Sequence, residues 1–325
     1  MIDRKPLLGM TDELEKKVRQ SVSLIQKAVG DKVVEVAYSG GKDSDVILEL
    51  TKMAGVRYEA IYKNTTIDPV GTLRHCKEKG CTIVNPKETF FQLVERKGYP
   101  NRLKRFCCAY LKEYKIHDMV IMGVRKSESV KRANRYKEPI VCRFYGSKKK
   151  HVQAIYPILE WNDENVAEFI KERGIKCHPL YYDEQGNFHV ERRLGCVGCP
   201  LISEKNRKQQ FKENKGVLKA WLLWGGRSLM RIELKNKNLF FADVYEWFTF
   251  ELFYRNVDDF KKSKQSIFGD SIDYRKFLED YFGVDLSWVD ARLEMERKRF
   301  LESNKTKLNN NEISKEEYDS LLKNR

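Results

Sequence analysis

The 325-residue sequence has no apolar run of bilayer-spanning length, so no transmembrane helix is expected. Its first residues, MIDRKPLLGMTDELEKK, lack the long apolar core of a secretory signal, and a cytoplasmic location is expected. No internal repeat is evident, and the lysine-rich segments are too short to be low-complexity tails. Acidic residues are the scarcer charge. Asp and Glu number 47 against 62 Lys and Arg, leaving a formal net charge of +15. Such a surplus favours polyanionic partners: DNA, RNA or nucleotides. With 41% hydrophobic and 34% charged residues, the chain has room for one large or two ordinary globular domains.

What the chain does have is an ordered motif near its start. Val33, Val34, Val36 and Ala37 form a short apolar run of the kind that makes a buried strand. It leads into Ser39-Gly40-Gly41-Lys42-Asp43-Ser44, and Val46, Ile47, Leu48, Leu50 and Met53 follow at helical spacing. Strand, tight glycine turn and helix aim backbone N–H groups and the positive end of a helix at one point. Gly40 and Gly41 let the backbone approach a bound group, Ser39 and Ser44 add hydroxyls, and Lys42 adds charge. Asp43 would cap the helix or hold Mg2+. The spacing differs from that of the GxxxxGK-Ser/Thr phosphate loop. The expected ligand is a phosphate or pyrophosphate.

Along the chain, helices are expected over 11–29, 70–79, 89–97, 102–114 and 162–173, the last capped by Asp163. Strands are expected over 56–63, 81–84, 117–124 and 154–159, with a polar loop at Lys148–Lys150. The second strand ends in Asn64-Thr65-Thr66-Ile67-Asp68-Pro69. Ligands of open parallel sheets sit beyond the carboxyl ends of the strands, which places Thr65 and Asp68 beside a nucleotide. Asp68 also suits a helix-capping turn before Pro69. Alternating β and α elements imply an α/β fold with a parallel sheet covered by helices on both faces. From residue 204 the strand signal is lost, and helices are expected over 204–224, 242–254 and 287–325. The expected domains are therefore 1–203 and a basic helical region, 204–325.

Of eight cysteines, Cys107 and Cys108 are adjacent, and Cys196 and Cys199 form a CxxC. Four thiolates hold zinc or an iron–sulfur cluster. Adjacent cysteines reach one small ion awkwardly, whereas a cubane offers them separate irons. That favours [4Fe–4S] on Cys107, Cys108, Cys196 and Cys199.

SGGKDS, CC, GVRKSESVKR, YPILEW and GCVGCP, in that order over residues 30–202, resemble the phosphoadenosine phosphosulfate (PAPS) reductase family of the PP-loop ATP pyrophosphatases. The cysteine pattern is similar to that of the adenylylsulfate (APS) reductases. The resemblance implies a PP-loop domain, adenine nucleotide alpha hydrolase-like, with ATP, APS or PAPS on the loop and the cluster near its phosphate end. It implies that Lys42 neutralises phosphates and that Arg125 and Arg132 pair with phosphate or sulfate oxygens. Arg192 and Arg193 would line the same pocket, and Glu128 would orient an arginine. The family's reductases use a cysteine on a C-terminal tail as nucleophile, and no cysteine follows Cys199 here.

Three functions fit. One is ATP-dependent adenylation and sulfur transfer to a nucleic acid, DNA or tRNA, with pyrophosphate release and a sulfur donor such as a cysteine desulfurase. Another is a sulfonucleotide reductase making sulfite. The third is a non-catalytic, cluster-containing nucleic-acid-binding module.

Overall fold

The computed structural model describes residues 9–145, 150–234, 240–264 and 272–323. In chain order the first elements are α1 (Asp12–Val29), β1 (Val33–Tyr38), α2 (Lys42–Ala54), β2 (Arg57–Lys63), α3 (Thr72–Glu78) and β3 (Thr82–Val84). Then come α4 (Phe90–Lys97), α5 (Phe106–Leu111), β4 (Met119–Ile121), α6 (Val130–Arg135), β5 (Ile140–Tyr145), β6 (Lys150–Ile155) and α7 (Asp163–Glu172). The rest is helical: α8 (Glu204–Glu213), α9 (Lys215–Leu234), α10 (Val244–Phe253), α11 (Val257–Lys264), α12 (Tyr274–Phe282), α13 (Ser287–Asn309) and α14 (Lys315–Lys323). The chain forms two compact units, Met1–Pro86 with Cys108–Cys196, and Lys87–Cys107 with Val197–Arg325. No helix among the described residues is long and apolar enough to cross a membrane.

The first unit is a mixed α/β unit around one six-stranded sheet, ordered β3-β2-β1-β4-β6-β5. β1 pairs in parallel with both β2 and β4, so the strand order reverses between β1 and β4. Such a switch point opens a crevice at the carboxyl ends of the strands. Alternate side chains serve opposite faces. Val34, Val36, Tyr38 and Ile121 join the main core with α1, α2 and α7, while Val120, Val152 and Ala154 form a smaller cluster on the other face. Val33, expected in the buried run, is 42% exposed. Glu35 is buried in β1 and is compensated by Lys63 of β2, whose Nζ lies 2.9 Å from its Oε1.

Several expectations are corrected. The sheet is parallel except at one edge, where β5 pairs antiparallel with β6. The strand expected at 154–159 is β6 and ends at Ile155, because Pro157 has no N–H for a ladder and the amides of Leu159 and Trp161 fold back into turns. Lys148 lies outside the described residues, and Lys150 opens β6 rather than a loop. The helix expected over 102–114 is only α5. Asn101 Oδ1 accepts the amides of Leu103 at 3.0 Å and Lys104 at 2.8 Å, holding that stretch in a turn. Asn162, not Asp163, caps α7, in a reciprocal box with Asn165.

The second unit is an aromatic helical assembly. Phe211, fully buried, meets Trp221, Phe248 and Phe282 edge-on, with centroids 5.5 to 5.9 Å away. The helix expected over 204–224 is two helices, broken at Asn214, whose Nδ2 donates to the Gln210 carbonyl at 2.8 Å. The boundary expected at 203/204 also differs, and residues 87–107 belong with the helices. Phe90 of α4 packs on Trp221 at 4.9 Å, and the Tyr99 hydroxyl donates to the Trp221 carbonyl at 3.0 Å. Gly225 makes that approach possible, since a Cβ there would sit 1.8 Å from the Tyr99 hydroxyl.

Phe211→Ala removes the ring that joins three helices and is expected to cost about 4 kcal/mol. Urea unfolding followed by tryptophan fluorescence checks this. A loss below about 1 kcal/mol would contradict the packing account.

Candidate functional site

The expected glycine turn lies at the sheet's switch point. β1 ends at Tyr38, the chain turns through Ser39-Gly40-Gly41, and α2 begins at Lys42 with Gly41 as its N-cap. Gly40 has φ +78°, the left-handed region, and a Cβ there would meet Thr72 and Leu194 at 3.0 and 3.1 Å. Among the described residues, the amides of Gly40, Gly41 and Asp43 donate to no other residue. The first amides of a helix have no helical partner, so these donors are left uncommitted. The Ser44 hydroxyl donates to the Gly41 carbonyl at 2.6 Å and lies 3.4 Å from that of Ser39. Ser39 is exposed, whereas Lys42 is buried, its Nζ 5.6 Å from the centre of the Tyr181 ring.

The loop is braced from below by charge. Asp43 does not cap α2. Its Oδ1 accepts from Arg125 Nε at 2.7 Å, and its Oδ2 is 3.5 Å from Lys42 Nζ. Arg125 is 2% exposed and also donates to Ser127 Oγ at 3.1 Å and Asp163 Oδ1 at 2.8 Å. A buried guanidinium with three protein partners is a strut, not an open anion receptor. Asp43, with two cations beside it, is correspondingly spoken for as a metal ligand. Between Arg125 and the loop, Gly123 is required. A Cβ there would stand 2.9 Å from the Asp43 carbonyl oxygen.

Arg132 is the more open arginine. Glu128 pairs with it and also faces Arg193 at 3.8 Å. Burial, then the like charges of Arg193 and Arg125, pull the Arg132 pKa down, while Asp43 opposes them. An anion at this spot would relieve that crowding. Arg192 is engaged elsewhere, donating to the carbonyls of Leu180 and Tyr182.

Thr65 and Asp68 stand after β2 as expected. Asp68 Oδ2 accepts from Tyr62 at 2.5 Å, and the Cys196 thiol donates to Thr65 Oγ1 at 3.7 Å. Lys112 joins them. Desolvation opposes its charge, but Cys196 and Asp68, with Cys108 as a smaller influence, outweigh it and raise the Lys112 pKa. Tyr181 ties this group to the loop: its hydroxyl meets the amides of Leu194, at 3.3 Å, and Lys42. Leu194, two residues before Cys196, therefore packs directly on Gly40. Cys108 and Cys196 lie in the first unit, and Cys107 and Cys199 in the second. No three His, Cys, Asp or Glu among the described residues converge as a single metal ion requires. Of the remaining four cysteines, Cys76, Cys81 and Cys177 are buried and Cys142 is exposed, and burial pushes the Cys81 thiol up to about 12.

Sequence reasoning missed Lys112, Tyr181 and the true partner of Arg125. Lys112 had a signal, standing four residues after Cys108. Tyr181 had none, because its contacts are long-range.

The family model for the phosphoadenosine phosphosulfate reductase domain matches residues 33–202. An uncharacterized protein of Methanocaldococcus jannaschii is 30% identical over 59% of this chain and 41% of its own length. An uncharacterized 37.8 kDa protein of Escherichia phage 186 is 29% identical over 37% of this chain and 38% of its own length. The chain thus spans about two fifths of the curated relatives it matches. The crystal structure of a PAPS reductase from Candida auris, a phosphate complex, superposes with a TM-score of 0.37 at 16% identity, covering 56% of this chain and 98% of that one.

Arg125→Ala leaves the half-buried Asp43 without its guanidinium partner and is expected to lower stability by about 3 kcal/mol. Asp163→Asn should cost far less, since Asp163 is 55% exposed. Denaturation midpoints check both. Equal small losses would remove the strut from the account.

Proposed function

Because the chain belongs to the phosphoadenosine phosphosulfate reductase domain family, we propose that it is an ATP-dependent sulfur-transfer enzyme acting on a nucleic acid, DNA or tRNA. The observation that carries this reading is the placing of a thiol beside an anion loop. Cys196 touches Thr65 at the carboxyl end of β2, and Leu194 covers Gly40. A nucleotide whose phosphates rest on the loop amides would have sulfur within reach of its reacting end.

In the first step an acceptor oxygen attacks the α-phosphorus of ATP. The bond to the bridging oxygen breaks, and pyrophosphate leaves onto the loop amides and Lys42. In the second step a hydrosulfide equivalent displaces AMP, breaking the bond between the acceptor atom and the adenylate oxygen. The sulfur comes from a donor such as a cysteine desulfurase, with a thiol as reductant. Arg132, beside Arg193, pairs with phosphate oxygens, and Arg125 keeps Asp43 and hence the loop in place. Thr65 and Asp68 meet the nucleoside side of the ligand. A [4Fe–4S] cluster on Cys107, Cys108, Cys196 and Cys199 would supply a binding point for the incoming sulfur. Magnesium would accompany the ATP phosphates. The net charge of +15 supports a polyanionic acceptor. Eight cysteines without a disulfide suit a reducing compartment such as the cytoplasm.

Anaerobically prepared protein should release pyrophosphate and AMP from ATP in the presence of an acceptor nucleic acid. Lys42→Ala should lower the rate by about 10²-fold. Sulfite made from APS or PAPS with thioredoxin, and no pyrophosphate from ATP with any nucleic acid, would replace this reading with a sulfonucleotide reductase.

A further inference from the structure

The second unit holds a pocket of about 350 Å³ that this chemistry leaves unused. One wall is aromatic. Trp247 stacks with Phe241 at 6.1 Å and an interplanar angle of 15°, and Tyr99 leans on Trp247 at 4.6 Å. Phe240 completes the wall and is 40% exposed. One edge is polar. The Glu251 carboxylate accepts hydrogen bonds from Asn101 and the Trp247 indole. Asn101 Oδ1 already accepts two backbone amides, which leaves its amide nitrogen to face Glu251. The rim is basic. Lys97 and Lys104 line it, and Lys261 and Lys264 lie 5.6 and 5.9 Å from the centre of the Phe240 ring.

These three features select a ligand together. An inorganic anion would suit the lysines but meet Glu251 and a wall of rings. A plain hydrocarbon would suit the rings and leave the half-buried Glu251 carboxylate with Asn101 and Trp247 as its donors and nothing from the ligand. A nucleobase offers a π-face to the rings, amino hydrogens to a carboxylate, and flanking phosphates to lysines. Thymine and uracil carry carbonyls where cytosine and adenine carry an amine, and a carbonyl would oppose Glu251. We propose that this pocket receives one unstacked, amine-bearing base of a nucleic-acid strand, with its neighbouring phosphates on the lysine rim. This rests on the nucleic-acid part of the reading above and on none of its sulfur chemistry. Burial raises the Glu251 pKa, opposed by the hydrogen bonds from Asn101 and Trp247 and by the nearby charges of Lys104 and Arg207.

The test is fluorescence anisotropy with the full chain and no ATP. The probes are end-labelled single strands of about 12 nucleotides: oligo-dC, oligo-dT and an abasic backbone of equal length. Oligo-dC should bind tightest and the abasic strand weakest. Phe240→Ala and Trp247→Ala should each weaken oligo-dC by about tenfold and leave the abasic strand unchanged. Glu251→Gln should abolish the preference for dC over dT, and Lys104→Ala should weaken all three strands alike. Phe240 is exposed and Glu251→Gln is isosteric, so these two remain decisive if Trp247→Ala fails to fold. Equal binding of all three strands, unmoved by Phe240→Ala and Glu251→Gln, overturns the pocket and spares the nucleic-acid reading. No binding of any strand overturns both.

Discussion

The structure of the first unit depends on a buried guanidinium. Arg125 leaves the end of β4 and joins the first turn of α2, through Asp43, to the first turn of α7, through Asp163. Those three elements border the crevice where the strand order reverses. Each carboxylate also sits near a helix N-terminus, where negative charge is favoured. The ion pair is worth little as net stability, since desolvation offsets much of its attraction. Its consequence is geometric: the glycine turn is held against Gly123 with little freedom to move.

The same strut explains what the loop has to offer. Asp43 spends its charge inward, on Arg125 and Lys42, so it does not fill the crevice with negative potential. The amides of Gly40, Gly41 and Asp43 are then left without an acceptor among the described residues, beside the exposed Ser39. Tyr181 and Leu194 bring the approach to Cys196 onto the same turn. Lys112 places a cation beside that sulfur. Anion donors, a thiol and polar residues after β2 therefore lie on contiguous parts of one unit.

The loop was legible because its physics is local. Strand run, paired glycines and helical spacing follow each other within about twenty residues, and each signal supports the next. The place of Thr65 and Asp68 just after β2 was legible for the related reason that the strand signal stops at Lys63. The role of Arg125 was not. A guanidinium suits a carboxylate as well as a phosphate, and only tertiary structure tells which it meets. Asp163 misled for the same reason: beside Asn162 either residue can cap, and the one that does not is released to Arg125. β5 was hidden because an edge strand need not carry a strong apolar alternation. The allegiance of residues 87–107 was hidden because Phe90 and Tyr99 look like core for either unit until Trp221 is placed. Lys112 could have been found by helical spacing from Cys108.

The central claim is that the turn after β1 presents unsatisfied amides to a diphosphate. Hydrogen–deuterium exchange, resolved to single residues and read with and without inorganic pyrophosphate, tests it most directly. Pyrophosphate should slow exchange at Gly40, Gly41 and Asp43 more than at any other backbone position. Unchanged exchange at those three amides under saturating pyrophosphate, with protection appearing elsewhere, would contradict the account.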